Sequence, residues 1–156
     1  MGASQKPRRK YDPNRWLQRV AQSREKRADA APLTDEQQRD LGLSFWMSFD
    51  AMLREPSGEL WGNLSSALNI AIVLCERGFG AECEGEIKAA QEALMRARKR
   101  KAKSGSWALD AEGIKAVRAA LTIHDEQTRV AERGEMRAAL AEVYRRVGAG
   151  DVFEVA

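Results

Sequence analysis

The sequence predicts an all-α protein, a helical bundle of about five or six helices, and three observations carry that expectation. Ala, Leu, Glu and Arg are abundant while Val, Ile, Thr and Tyr are few, which favours helix over strand. Apolar residues recur three and four positions apart through most of the chain instead of alternating. The boundaries carry helix-end residues, with Thr34 and Asp110 ahead of apolar-periodic runs and Gly78 and Gly150 behind them. A chain of 156 residues is one domain's worth, long enough to bury about 70% of its unfolded surface. The expected organisation is a disordered basic arm over residues 1–11, a single helical domain over 12–150 and a C-terminal tail over 151–156.

The first helix is expected from Asp12, a suitable N-cap, and Pro13, suited to the first helical position. Trp16, Leu17 and Val20 form a narrow apolar face, and the helix ends near Ala28 before a linker through Pro32. Thr34-Asp35-Glu36-Gln37 reads as a capping box that starts the second helix. Leu41, Phe45, Phe49 and Met52/Leu53 recur at helical spacing there, with Trp46 widening the face, until Pro56 stops the pattern. The third helix opens at Ser57 or Gly58. Leu60, Trp61, Leu64, Leu68, Ile72 and Cys75 line one side and Ile70, Val73 and Leu74 cover much of the rest, so it belongs at the centre of the bundle.

Gly78-Phe79-Gly80 predicts a helical hairpin, with Gly78 left-handed and Phe79 folded back on the preceding turn. The next helix runs from about Glu82, with Cys83, Ile87, Ala90 and Leu94 inward. It is expected to fray into the basic run 96–103 before Ser104-Gly105-Ser106. Asp110 caps the last helical region, where Ile114, Val117, Leu121 and His124 share a face. Met136, Leu140, Val143 and Val147 resume the pattern on a shifted face, so either a kink or two helices meet near Glu132-Arg133-Gly134.

The net charge of +3 conceals segregated blocks. Residues 1–27 hold nine Lys/Arg against two acids, 28–95 four against twelve, 96–103 six against none and 104–156 seven against nine. A folded acidic body flanked by basic segments points to a charged macromolecular partner without choosing which. Ala67 to Cys75 is too short to span a bilayer, and Lys6 stands where an acylation signal needs Ser or Thr. The first thirty residues are too polar for a signal peptide, so a cytoplasmic setting with Cys75 and Cys83 as free thiols is expected, and no membrane partner.

Three strings, Leu68-Asn69-Ile70-Ala71 through Arg77-Gly78-Phe79-Gly80-Ala81-Glu82, Ala119 to Gln127, and Glu135 to Leu140, together with Lys6 to Tyr11, carry a resemblance. The chain over residues 66–147 and its arm resembles a group of small uncharacterised proteins encoded by proteobacterial phages and prophages. That resemblance implies a phage accessory protein acting in a bacterial host. It implies no activity.

Each candidate site has a structural reading beside the functional one. His124-Asp125-Glu126 offers an imidazole next to carboxylates, but neighbours on a helix point to different faces. His124 on the apolar stripe reads as a core histidine bonded to a nearby carbonyl or carboxylate. Cys75 and Cys83 with one histidine fall short of a zinc set and read as small buried hydrophobes. Asn69 either fixes helix register or marks a self-association surface. Trp46, Phe49 and Trp61 are core aromatics or an exposed partner patch. Arg96, Arg98, Lys99, Arg100, Lys101 and Lys103 either complement a helix C-terminus or, with Lys6, Arg8, Arg9 and Lys10, grip a polyanion or acidic partner.

With neither a nucleophile–base pair nor a metal cluster, an enzyme is not expected, nor a cofactor. The favoured expectation is a non-enzymatic accessory protein that binds and modulates or inhibits a host or phage macromolecule. The alternative is low-specificity nucleic-acid binding through the two basic blocks, without base readout. A homodimer fits an aromatic-rich bundle.

Overall fold

The computed structural model describes residues 14–150, which form six α-helices and one short 3-10 turn, with no strand among the described residues. The helices are α1 Asn14–Asp29, α2 Asp35–Arg54, α3 Gly58–Glu76, α4 Glu84–Ser104, α5 Ala111–Val130 and α6 Arg133–Ala149, and the turn Ala81–Cys83 leads into α4. The Asp12 and Pro13 start signal, the basic arm and the tail lie outside the described residues, as do the side chains of Trp16 and Leu17.

Local chemistry sets the helix ends. At α2 the Gln37 N–H donates to Thr34 Oγ1 at 3.2 Å and the Thr34 N–H donates to Gln37 Oε1 at 3.1 Å, closing the expected capping box. Ser57 caps α3 by accepting from the Leu60 N–H at 3.3 Å, and Asp110 caps α5 by accepting from the Gly113 N–H at 2.6 Å. α3 ends as the Gly-Phe-Gly sequence requires. Gly78 takes φ 95°, its N–H donates to the Cys75 carbonyl at 3.0 Å, and the Phe79 N–H reaches back to Leu74 O at 2.9 Å. This pair of bonds satisfies two carbonyls that the helix leaves open, and only glycine holds that backbone without a Cβ clash.

α3 is the central helix, with twelve of its nineteen residues buried, and it packs on α2, α4, α5 and α6. The most extensive pairing is α4 with α5. Ala90, Ala93 and Ala97 are buried along α4, and a Cβ on Gly113 of α5 would lie 3.1 Å from that of Ala93, so small residues set how closely the two helices approach. α1 joins the bundle through α6. Arg137 pairs with Asp29 and lies 3.5 Å from Glu25, while the Arg133 N–H donates to Ala31 O at 2.9 Å.

The fraying expected of α4 and the inward face expected for Leu140 and Val147 change, and the choice between a kink and two helices after Asp110 is resolved. The basic run 96–103 does not fray, because Ala97 is fully buried within it and keeps that stretch pinned to the core. α4 continues to Ser104 and stops at Gly105, which is left-handed at φ 79° and donates its N–H to Lys101 O. The region after Asp110 is two helices, since Ala131 and Glu132 are extended and break the helical path. α6 buries Ala139 and Val143, whereas Leu140 and Val147 face outward.

Replacing Gly78 with Ala is expected to lower the unfolding free energy by about 1 kcal/mol or more, since a Cβ is forced into left-handed backbone. Gly148→Ala, in helical backbone with no heavy atom near the added Cβ, should be neutral or stabilising by up to about 1 kcal/mol. Urea denaturation followed by circular dichroism distinguishes the two.

Candidate functional site

The residue types able to do chemistry gather at the C-terminal end of α3, where His124, Gln127 and Cys75 are enclosed. His124 is 1% exposed, its ring 5.6 Å from that of Phe45 and its Nδ1 3.4 Å from Gln127 Oε1. Gln127, also buried, sends its Nε2 to Ala71 O at 3.0 Å and Phe79 O at 2.9 Å, with Cys75 Sγ at 3.3 Å. Those acceptors orient the amide so that its oxygen faces the imidazole, which assigns the His124 proton to Nδ1. Nε2 then needs no acceptor, and it is buried with no hydrogen-bond partner among the described residues. Burial pushes the His124 pKa below its ordinary value, so the ring is neutral.

His124, Asp125 and Glu126 diverge as helical geometry demands. Asp125 accepts a 2.7 Å bond from Trp46 Nε1 across the α2–α5 contact, and Glu126 pairs with Arg129 at 2.8 Å on the outside. The core-histidine reading holds, with a side-chain amide in place of the expected carbonyl or carboxylate. Gln127 itself escaped the sequence reading. Its signal was a polar residue one turn after His124 on the inward side of α5.

Cys75 and Cys83 are free thiols, the first buried and the second half-buried. Burial raises the Cys75 pKa most, with Cys83 adding to it, and desolvation followed by Glu82 and Glu86 raises that of Cys83. Both are protonated at neutral pH, unsuited to nucleophilic attack. Asn69 is buried, and its Oδ1 accepts from Gln91 Nε2 at 3.0 Å, which ties α3 to α4 and supports the register reading.

The exposed aromatic patch does not exist. Trp61 is wholly buried, donating from Nε1 to Leu94 O at 2.7 Å beneath Trp107 and Arg98, and Phe49 is buried under the Arg118 guanidinium. Trp46 is half-buried, edge-on to Phe49. Large aromatic faces leave water most strongly, so they define the inside of α2 and α3. The large apolar side chains that α2 does expose are Leu43, Met47 and Leu53.

The basic cluster is divided. Arg96 grips Asp110 through two nitrogens at 2.9 and 3.3 Å, and Arg100 lies 3.6 Å from the same carboxylate while donating to Ala108 O. The Arg96 bond holds the Asp110 pKa down at about 2, helped by the Gly113 N–H. Lys101 donates to Gly105 O at 3.1 Å, Arg98 stands over Trp61, and Lys99 and Lys103 are exposed. Arg96, Arg100 and Lys101 hold the loop between α4 and α5. Lys6, Arg8, Arg9 and Lys10 lie outside the described residues.

The acidic segment lies at the surface, with Asp29, Asp50, Glu76 and Glu84 paired to Arg137, Arg54, Arg146 and Lys88. None of the twelve Asp and Glu of residues 28–95 is buried, and ten of them are exposed. Comparison of the chain with family models, with curated proteins and with solved structures finds no match.

Gln127→Leu is expected to cost about 1–3 kcal/mol of stability, because buried carbonyls lose their donor. The histidine gives a pH signature. Below its ordinary value of 6.5 an unfolded chain binds a proton that the folded chain refuses. Stability is therefore full above that pH and falls as pH drops toward the depressed folded value, by up to about 1.4 kcal/mol per unit. His124→Leu should flatten that slope between about pH 6.5 and 5, as read from urea midpoints across the range.

Proposed function

We propose that this is a non-enzymatic accessory protein of phage or prophage origin that acts in a bacterial cytoplasm by binding and modulating or inhibiting a basic macromolecular partner, most directly a host or phage protein. The observation that carries this reading is the surface placement of the acidic segment, ten of whose twelve acids are exposed, beside the pairing of Arg96 and Arg100 with Asp110. Acids spread over the outer faces of α2, α3 and α4 present a polyanionic surface comparable in chemistry to a nucleic-acid backbone, which a cationic protein surface complements. His124 and Cys75 being sealed in the core supports a binding role over catalysis.

Direct nucleic-acid binding is the second reading, kept because Lys99 and Lys103 remain exposed. It loses weight because Arg96 and Arg100 are already paired with Asp110. Fewer cations left to neutralise phosphates means weaker, less salt-sensitive binding.

The full chain immobilised as bait in bacterial lysate should retain a stoichiometric basic protein that salt elutes. A variant with Glu82, Glu86 and Glu92 changed to Gln should hold it at least about tenfold more weakly. Recovery of no such partner, together with duplex DNA binding that falls steeply between about 50 and 200 mM salt, would replace this reading with the second.

A further inference from the structure

The turn that ends α3 brings both cysteines of the chain to one carbonyl. Cys75 Sγ donates to Gly80 O at 3.2 Å, and the Cys83 N–H donates to the same oxygen at 2.9 Å. The Cys75 sulfur therefore lies at most about 6 Å from the Cys83 nitrogen. A cysteine sulfur stands about 3–4 Å from its own backbone nitrogen, the separation set by χ1. Rotation about that one bond carries the Cys83 sulfur toward Cys75 or away from it.

The local backbone holds this arrangement in place. Gly80, left-handed at φ 74°, turns the chain back, and the short turn Ala81–Cys83 packs against α3. The thiols also feel each other electrostatically, since a charge on Cys83 is, after burial, the largest influence that raises the Cys75 pKa. Their access to solvent differs. Cys83 is half-buried and open to a small reagent, whereas Cys75 is 2% exposed and can be approached only from its neighbours in the fold. An outer thiol beside an enclosed one is the layout of a capturing and a resolving cysteine.

We propose that Cys75 and Cys83 form an oxidisable pair, in which a low-molecular-weight disulfide captures Cys83 and Cys75 then closes an intramolecular Cys75–Cys83 disulfide across the turn between α3 and α4. In the first step the Cys83 thiolate attacks one sulfur of the reagent, forming a mixed disulfide and releasing one small thiolate. In the second the Cys75 sulfur, giving up its proton, attacks Cys83 Sγ and expels the other small thiolate. The two protons lost by the cysteines end on the two small thiols, so one disulfide is reduced as the other is made.

Both thiols are protonated at neutral pH, so capture runs through the small thiolate fraction of Cys83, which Glu82 and Glu86 beside it hold down. The dithiol is thus the resting form, and closure requires added oxidant. Closing the ring removes the S–H that Gly80 O accepts and joins the end of α3 covalently to the start of α4. Gln127 keeps Ala71 O and Phe79 O as acceptors, so the core around His124 stays supported. None of this depends on whether the acidic surface binds another protein.

Mass spectrometry of the full chain tests the pair after incubation with excess glutathione disulfide at about pH 8, where thiolate is more abundant, and an acid quench. The expected product is a monomer two hydrogens lighter than the reduced chain, with no free thiol. Cys75→Ser should stop with one glutathione on Cys83, and Cys83→Ser should keep its enclosed Cys75 free at least about tenfold longer than the parent loses its thiols. With the fold removed by urea, ring closure at a fixed ratio of glutathione to its disulfide should be at least about tenfold less favourable. Circular dichroism checks that each variant is folded, and the parent's mass and the urea comparison decide the matter without them. A parent chain that keeps both thiols, stops at the mixed disulfide, links to a second chain, or closes no better folded than unfolded would overturn the proposal.

Discussion

A nineteen-residue helix with twelve buried residues cannot stand in water on its own, and the enclosure of α3 is the constraint on which the rest of the structure rests. Its apolar surface runs almost all the way round, so helices must close on several sides, and α2, α4, α5 and α6 do so. Enclosure also traps polar groups. Near one end the Trp61 indole nitrogen finds Leu94 O, midway Asn69 finds Gln91, and near the other end Gln127 reaches Ala71 and Phe79. Each bond connects α3 or its exit turn to a different point on α4 or α5. A helix that could otherwise slide or rotate within an apolar sheath is held in one register.

The electrostatics follow from that arrangement. Helices that turn apolar faces toward α3 must carry their charge outside, which is why the acidic segment becomes an acidic surface. The basic run meets a different demand. It closes α4 where the carbonyls are unsatisfied, and it faces the loop that leads to α5. Asp110 collects two of its arginines and caps α5 with the same carboxylate, so one acid joins two helices. A row of six cations in sequence becomes in space a set of separate tasks.

The fold was legible because its signals are local. Thr34 with Gln37, Ser57, Gly78 with Phe79, and Asp110 each specify a helix end through bonds within a few residues. The central place of α3 was legible from its apolar circumference. What escaped depends on distant partners. Nothing adjacent to Gln127 reveals that it will meet Ala71, and nothing within 96–103 shows that Asp110 will claim two of its arginines. The frayed end expected there ignored Ala97, a small residue that the folded bundle buries completely. The aromatic trio was assigned to both core and surface because periodicity marks a face without saying what lies against it. Packing resolves Trp61 and Phe49 to the inside, leaving Leu43 and Met47, one position round the helix, on the outside. Function was least legible, since charge identifies the kind of partner a surface suits and not the partner itself.

One consequence of the enclosed imidazole lies in what it makes observable. The chain has a single histidine, and its ring sits where α2, α5 and the exit turn of α3 come together, against Phe45 and Gln127. In a proton magnetic resonance spectrum its two ring C–H signals are therefore unique to one place in the molecule, shifted by the neighbouring aromatic and untouched by titration near neutrality. The protein carries a built-in reporter in its interior, silent toward solvent and responsive to any event on the outer helices that moves the core.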